Sequence, residues 1–323
     1  MLKIGLVGVG SISGAHVPAW EHLKEDGIAE LVAICDIRPE QMDKYPEKRH
    51  YNTLDEMLEK EELDILDICV PTYAHAELAI KGLEHGVNVL SEKPLSLDPE
   101  DAHRVWAAAK KNNVKFMVAQ VVRFWREYEI LKNYYDTEKY GKLRSLSMWR
   151  LSGMPNGAHN WFRDENLSGL TPYDMHVHDL DFCIHAFGEP KKVQQHRTKN
   201  PGEDAIQGTY IYDDFYITIE TAWYGVPYSF NFGFRAMFDK AVLEADKDGN
   251  LQIWLEDGLH DLSAKSGVDA GVGNISTTTS AYENEIRHFV ECVKTGADPL
   301  VREDQVFAVL QLAKSFSNPE NNV

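Results

Sequence analysis

Over roughly the first 120 residues, short apolar runs alternate with helical patterns. Leu2–Val7, Leu31–Cys35, Ile65–Val70, Val87–Leu90 and Val114–Ala119 are nearly continuous apolar runs. Strands buried on both faces of a parallel sheet read this way. Between them, residues 11–26 predict a helix ending before Gly27. Thr53–Glu61 predicts a short helix with Thr53 as N-cap and Glu56 completing a capping box. His75–His85, closed by Gly86, and Pro99–Asn112 predict two more. After residue 120 the texture changes. Leu143–Leu151, Ala205–Tyr212, Tyr216–Trp223 and Ser229–Phe238 alternate apolar with polar, as in a large, mostly antiparallel sheet with one buried face. Later helices are predicted over 171–187, Tyr282–Lys294 and about 303–316. The expectation is an α/β chain: a doubly wound parallel sheet over 1–120, then an α+β domain over 121–323. The helix near 303–316 is expected to pack back on the first domain.

Length and charge narrow the function. At 323 residues the chain is long enough for two domains. It has 33 basic and 51 acidic residues, a formal charge of −18, so nucleic acid and anionic membrane surfaces are poor partners. No apolar run approaches the ~18 residues of a membrane span, and no leader pattern opens the chain. Cys35, Cys69, Cys183 and Cys292 lie far apart with no C-x-x-C pair. That spacing argues against a disulfide framework or a cysteine zinc site and predicts a cytoplasmic protein.

The first strand runs into Gly8-Val9-Gly10-Ser11-Ile12-Ser13-Gly14. Two glycines so spaced allow a tight turn and close approach of backbone to a pyrophosphate. The helix start at Ser11 and Ile12 would aim its N–H groups at that anion. Ser13 stands where the third fingerprint glycine is usual. Asp36 closes the second strand, placed to accept hydrogen bonds from a ribose diol and to repel a 2′-phosphate. Together these predict a Rossmann domain that binds NAD. Arg38, two residues on, would instead serve the phosphate of NADP.

Ser91-Glu92-Lys93-Pro94 follows the fourth strand. Ligands of open α/β sheets bind beyond the carboxyl ends of strands, so Lys93 is expected beside the nicotinamide, able to hold a substrate hydroxyl. In the second domain, Thr171-Pro172-Tyr173-Asp174 reads as a helix start. Asp174 and His178 are four apart and share one face; Asp181 and His185 lie near the same stripe, and His176 points elsewhere. A carboxylate and an imidazole so placed suit proton abstraction from a hydroxyl. The same acids and histidines also suit zinc or manganese. No H-E-x-x-H motif supports that reading, and it leaves the cofactor half without a role, so no metal is expected.

The pattern resembles the glucose–fructose oxidoreductase/inositol dehydrogenase (Gfo/Idh/MocA) family. The resemblance runs through Gly8-Val9-Gly10 with His16, Cys69-Val70-Pro71-Thr72 with His75, Gly86 to Pro94 with its Glu-Lys-Pro segment, and Asp174 to Asp181. It implies NAD(P)-dependent oxidation of a secondary alcohol on a sugar, cyclitol or related polyol, or the reverse reduction. It implies Lys93, Asp174 and His178 as catalytic residues. Pro71, Thr72, His75, Glu92 and Lys93 join Gly8, Gly10, Ser11, Ile12, Asp36 and Arg38 at the cofactor. His159 and Trp161 are implied near the pocket, with Tyr73, Arg123 and Trp125 as further lining. His176 stands where the family often has glycine, and is expected to narrow the pocket or add a polar contact. A homodimer or homotetramer through the second-domain sheet is also implied. Two other outcomes remain open from the sequence: a non-catalytic NAD(H)-sensing regulator, and a redox-assisted elimination without net NAD turnover.

Overall fold

The computed structural model describes residues 1–264 and 280–317. In chain order the first elements are β1 (Leu2–Val7), α1 (Ser13–Glu25), β2 (Ala29–Cys35), β3 (Arg49–Tyr51), α2 (Leu54–Lys60), β4 (Ile65–Ile68), α3 (His75–Glu84), β5 (Asn88–Glu92), α4 (Glu100–Asn112) and β6 (Phe116–Ala119). There follow α5 (Arg126–Asp136), β7 (Leu143–Gly153), α6 (Glu165–Ser168), α7 (Val177–Phe187), β8 (Lys192–Asn200), β9 (Glu203–Ile211), β10 (Tyr216–Tyr224) and β11 (Asn231–Phe238). The last are β12 (Val242–Asp246), β13 (Leu251–Leu255), β14 (Gly258–Asp261), α8 (Ala281–Thr295) and α9 (Glu303–Ser315).

The chain forms two compact units, Met1–Val121 with Thr279–Leu310, and Val122–Thr278 with Gln311–Val323. In the first, six parallel strands lie in the order β3-β2-β1-β4-β5-β6. The order reverses between β1 and β4, and the crevice beyond such a reversal is where open α/β sheets bind ligands. Ile4, Leu6, Ile34, Leu66, Val89 and Leu90 are fully buried, as the apolar runs require. Thr53 caps α2 by accepting the Glu56 N–H. The expected second domain, 121–323, ran too far: Thr279–Leu310 cluster with the first unit. The reason is α8, which buries Ile286, Phe289 and Val290 and pairs Glu283 with His22 and Arg287 with Asp26 of the α1 region.

The second unit holds an eight-stranded sheet, β14-β13-β12-β11-β7-β10-β9-β8, antiparallel except for β7 beside β10. Its inner face buries Leu146, Met148, Ile217, Ile219, Phe234 and Ala236. α5 lacks an obvious sequence signal. It packs Tyr128 edge-on against Phe182 of α7 and Phe234 of β11. Four strands of this sheet, β8, β12, β13 and β14, go beyond the sequence reading, as does β3 in the first unit. β8, Lys-Val-Gln-Gln-His-Arg-Thr-Lys-Asn, shows why: one apolar residue in nine gives no alternation to read. Among the described residues, no helix is long and apolar enough to cross a membrane.

Candidate active site

The phosphate turn is built by steric necessity. Gly8 has φ +93°, and a Cβ there would lie 2.4 Å from the Cys69 carbonyl oxygen. At Gly10 a Cβ would meet nothing within 4 Å, so the turn faces open space that a side chain would occupy. Ser13 is 1% exposed and donates its hydroxyl to the Gly10 carbonyl at 2.7 Å. That bond accounts for serine at the third fingerprint position: it closes the turn from inside. α1 starts at Ser13, two residues later than expected, and no side chain caps it; its Gly14 and Ala15 N–H groups instead donate to the Ser11 and Ile12 carbonyls, which tightens the turn. Asp36, just past β2, accepts the Val9 N–H on one oxygen (2.7 Å) and the Arg38 N–H on the other (2.8 Å). The carboxylate thereby ties the end of β2 to the glycine turn after β1. Arg38 leans back on it, Nε to Oδ1 3.7 Å, so its charge is partly spent on Asp36. Turn, carboxylate and open cradle fit a dinucleotide.

Beyond β4 come Pro71, buried Thr72 and half-exposed Tyr73. His75 is buried, with both ring nitrogens 2.7 Å from a carbonyl, those of Val70 and Pro94. It was expected among the cofactor contacts. Instead it ties the β4 exit to the β5 exit, and burial pushes its pKa down. β5 ends at Glu92, whose Oε2 accepts the Lys93 backbone N–H at 3.0 Å, so Lys93 leaves the sheet at its carboxyl edge. Behind Glu92 lies a network the sequence reading did not build. His16 of α1 is fully buried, its Nδ1 2.9 and 3.1 Å from the two Asp67 oxygens and its Nε2 3.0 Å from Glu92 Oε1. Trp20 Nε1 donates to Asp67, and the Cys69 thiol points at it. Burial pushes His16 down, but Asp67 overrides this and holds it well above its ordinary value. Burial likewise pushes Glu92 up, and the His16 hydrogen bond reverses it, leaving the carboxyl below its usual range.

In the second unit, the helix expected over 171–187 begins as a π turn, Pro172–His176, and continues as α7 to Gly188 (φ +78°). π turns are rare and concentrate at functional sites. This one carries Asp174, with His178 one turn on, both half-buried. Thr171 does not cap by side chain. Its N–H and hydroxyl bond Asp204, whose carboxylate Arg197 grips with two nitrogens at 2.8 Å. Two further buried pairs pin α7: Asp179 to Arg150 and Asp181 to Arg123, each bidentate. Arg150 also lies over the Trp125 and Phe232 rings.

Two expected substrate contacts are corrected by this packing. Arg123 is 2% exposed and committed to Asp181. His176 is fully buried, Nδ1 2.7 Å from Thr221 Oγ1 and Nε2 2.7 Å from Tyr210 Oη, and burial lowers its pKa to about 3. Both nitrogens are thus taken by protein hydroxyls. The same commitments of Asp181 and His176 weaken the metal reading of this stripe. His159 and Asn160 are exposed and both left-handed (φ 56°), and Trp161 stacks on Phe162 at 4.0 Å. Left-handed non-glycine residues are strained, and consecutive ones in a loop mark a candidate binding segment.

Comparison with known proteins agrees with this architecture. Residues 2–120 match the model of the oxidoreductase family with an NAD-binding Rossmann fold, and residues 128–258 match the GFO/IDH/MocA C-terminal domain. A myo-inositol 2-dehydrogenase of Thermotoga maritima is 30% identical over 58% of this chain, which spans just over half of that relative (55%). A D-apiose dehydrogenase of Paraburkholderia graminis is 24% identical over 92% of this chain and 82% of its own length. A levoglucosan dehydrogenase solved with NADH shares the fold, TM-score 0.84, at 17% identity over 99% of this chain and 96% of that one. With both halves matched in order, this chain belongs to the Gfo/Idh/MocA family of oxidoreductases, and residues 2–120 are that family's NAD-binding domain.

Proposed function

We propose that this chain is a dehydrogenase that passes a hydride between NAD and a secondary alcohol of a sugar, cyclitol or related polyol. The observation that carries the reading is within the first unit. Lys93 leaves β5 at the same sheet edge where the phosphate turn leaves β1 and Asp36 leaves β2. The backbone at Gly8, Gly10, Ser11 and Ile12 would hold the pyrophosphate, and Asp36 the adenosine ribose. Pro71, Thr72 and Glu92 complete that wall, and Asp36 with its leaning Arg38 favours NAD over NADP. When bound, the nicotinamide supplies the hydride acceptor or donor. His178 takes the hydroxyl proton, Lys93 steadies the oxygen by its ammonium, and Asp174 orients His178 or binds a neighbouring hydroxyl. Tyr73, His159 and Trp161 are proposed substrate contacts, aromatic faces suiting the C–H faces of a sugar.

The test is Lys93→Met against a panel of sugars and cyclitols, followed by nicotinamide absorbance near about 340 nm. NAD+ binding should persist while turnover falls at least about a hundredfold. Unchanged turnover rejects the assignment. Product without any change in absorbance would point to elimination instead, and no product from wild-type protein to a sensor.

A homodimer or homotetramer is part of this reading. Tyr216, Met237, Trp254 and Leu259 are each 45–49% exposed, and strand register sets them in one row with Ser145 and Val242. Such an apolar row on an open sheet face suits a second copy of the chain. A solution mass of one chain by light scattering would reject it. Four buried thiols support a cytoplasmic setting, which cell fractionation tests.

A further inference from the structure

We propose that His16 is a positioning residue for Lys93: clamped by Asp67, it fixes the Glu92 carboxylate that in turn holds the Lys93 backbone. The connection is continuous. Asp67 receives both His16 Nδ1 and Trp20 Nε1, which locks the imidazole plane. The opposite ring nitrogen meets Glu92 Oε1, and Glu92 Oε2 accepts the Lys93 N–H. Nothing in this line is loose: His16 and Asp67 are wholly buried and Glu92 is 5% exposed. A helix-start histidine therefore reaches the main chain of a residue 77 positions later through one carboxylate.

Hydrophobic packing alone would not put a histidine here. Two buried carboxylates flank one imidazole, and their combined attraction favours the charged ring. The facing groups are Asp67 and Cys69 from the β4 end, Glu92 at the end of β5 with Lys93 just past it, His75 from α3 and the Tyr282 ring from α8. Of these, Asp67 and Glu92 act on His16 as anions, while His75 is spent on backbone carbonyls. Removing the imidazolium leaves Glu92 buried with no cation on that side, and desolvation then favours its neutral form. A protonated Glu92 would weaken the Lys93 backbone bond and remove the anion beside the Lys93 side chain.

This inference rests on the reading of Lys93 as catalytic, so its test includes a measurement free of turnover. In 15N-labelled, NAD-free protein, the Lys93 amide signal reports the protonation of Glu92. It should stay flat between about pH 5 and 8 in wild type, and titrate in that range in His16→Gln. In the double variant His16→Gln/Glu92→Gln the titration should vanish. In the enzyme assay, His16→Gln should lower kcat about tenfold and add a new acid limb to its pH profile, with KM for NAD+ changed less than about threefold. A folded His16→Gln protein with a flat Lys93 amide, or with the wild-type pH profile, overturns the proposal. Should His16→Gln not fold, the isosteric Glu92→Gln decides: a kcat within twofold of wild type overturns it, a loss of about tenfold at unchanged melting temperature supports it. If Lys93→Met proves fully active, the catalytic reading falls, yet the amide titration would still report whether His16 fixes Glu92.

Discussion

Each unit buries a histidine completely, and the two are held in opposite charge states. His16 in the first unit lies between Asp67 and Glu92, and its pKa is held well above the ordinary value. His176 in the second lies between two hydroxyls, Thr221 and Tyr210, and its pKa falls to about 3. Burial acts on both rings in the same direction, against the charge. What differs is the partner. A carboxylate can accept from an imidazolium and stabilise it by Coulomb attraction. A hydroxyl can donate to one ring nitrogen and accept from the other, which satisfies the neutral ring. The first unit therefore places a charged network under its candidate cofactor edge. The second keeps its ionic links on arginine–aspartate pairs that pin a helix and leaves its histidine neutral.

The largest way to break this contrast is to remove an ionic partner. Asp67→Asn leaves the His16 ring with one carboxylate and sets an amide among three donors. Breaking a buried pair costs about 3–5 kcal/mol. Thr221→Val removes one neutral partner of His176, which should cost about 1 kcal/mol. Urea unfolding read by hydrogen-exchange mass spectrometry, peptide by peptide, assigns each loss to its unit. Equal losses in both variants would erase the distinction between a charged and a neutral histidine.

Much of the first unit was legible because its elements obey simple periodicity. Its five longer strands are apolar runs and its phosphate turn is a spacing of glycines. The His16 network was partly legible too. Asp67 interrupts the run Ile65-Leu66-Asp67-Ile68, and a charge inside a doubly buried strand demands a partner. Its partner could not be named, because His16 lies 51 residues away on another element. In the second unit, Asp174 and His178 were legible as a spacing on one helix. The π turn beneath them was not, since no residue pattern distinguishes one extra residue per turn. Nor were Arg150–Asp179 and Arg197–Asp204, because bidentate pairing depends on strands and helix meeting in three dimensions. His176 was misread for the same reason. On the helix it pointed away from Asp174, but only the sheet behind it shows that Thr221 and Tyr210 fill that direction.

The smaller and sharper test of the comparison is pH. His176 titrates near ~6.5 when unfolded and at about 3 when folded. The unfolded chain therefore binds more protons throughout that interval. Stability from keeping the ring neutral is complete above about pH 6.5 and is lost as pH falls toward 3. At about pH 4.5 the loss amounts to roughly 3 kcal/mol. Many carboxylates also titrate there, so the informative quantity is the difference between wild type and His176→Gln, which cannot ionise. That difference should favour the variant progressively below about pH 6.5 in peptides of α7, β9 and β10. For His16 the sign reverses. Its folded pKa is raised, so its contribution is full below about pH 6.5 and is lost as pH climbs through the raised value. The first unit should thus lose its advantage over His16→Gln on the alkaline side, and the second unit should lose its advantage over His176→Gln on the acid side. Two histidine differences that bend the same way with pH would mean that burial, not the chemistry of the partner, sets the charge of both rings.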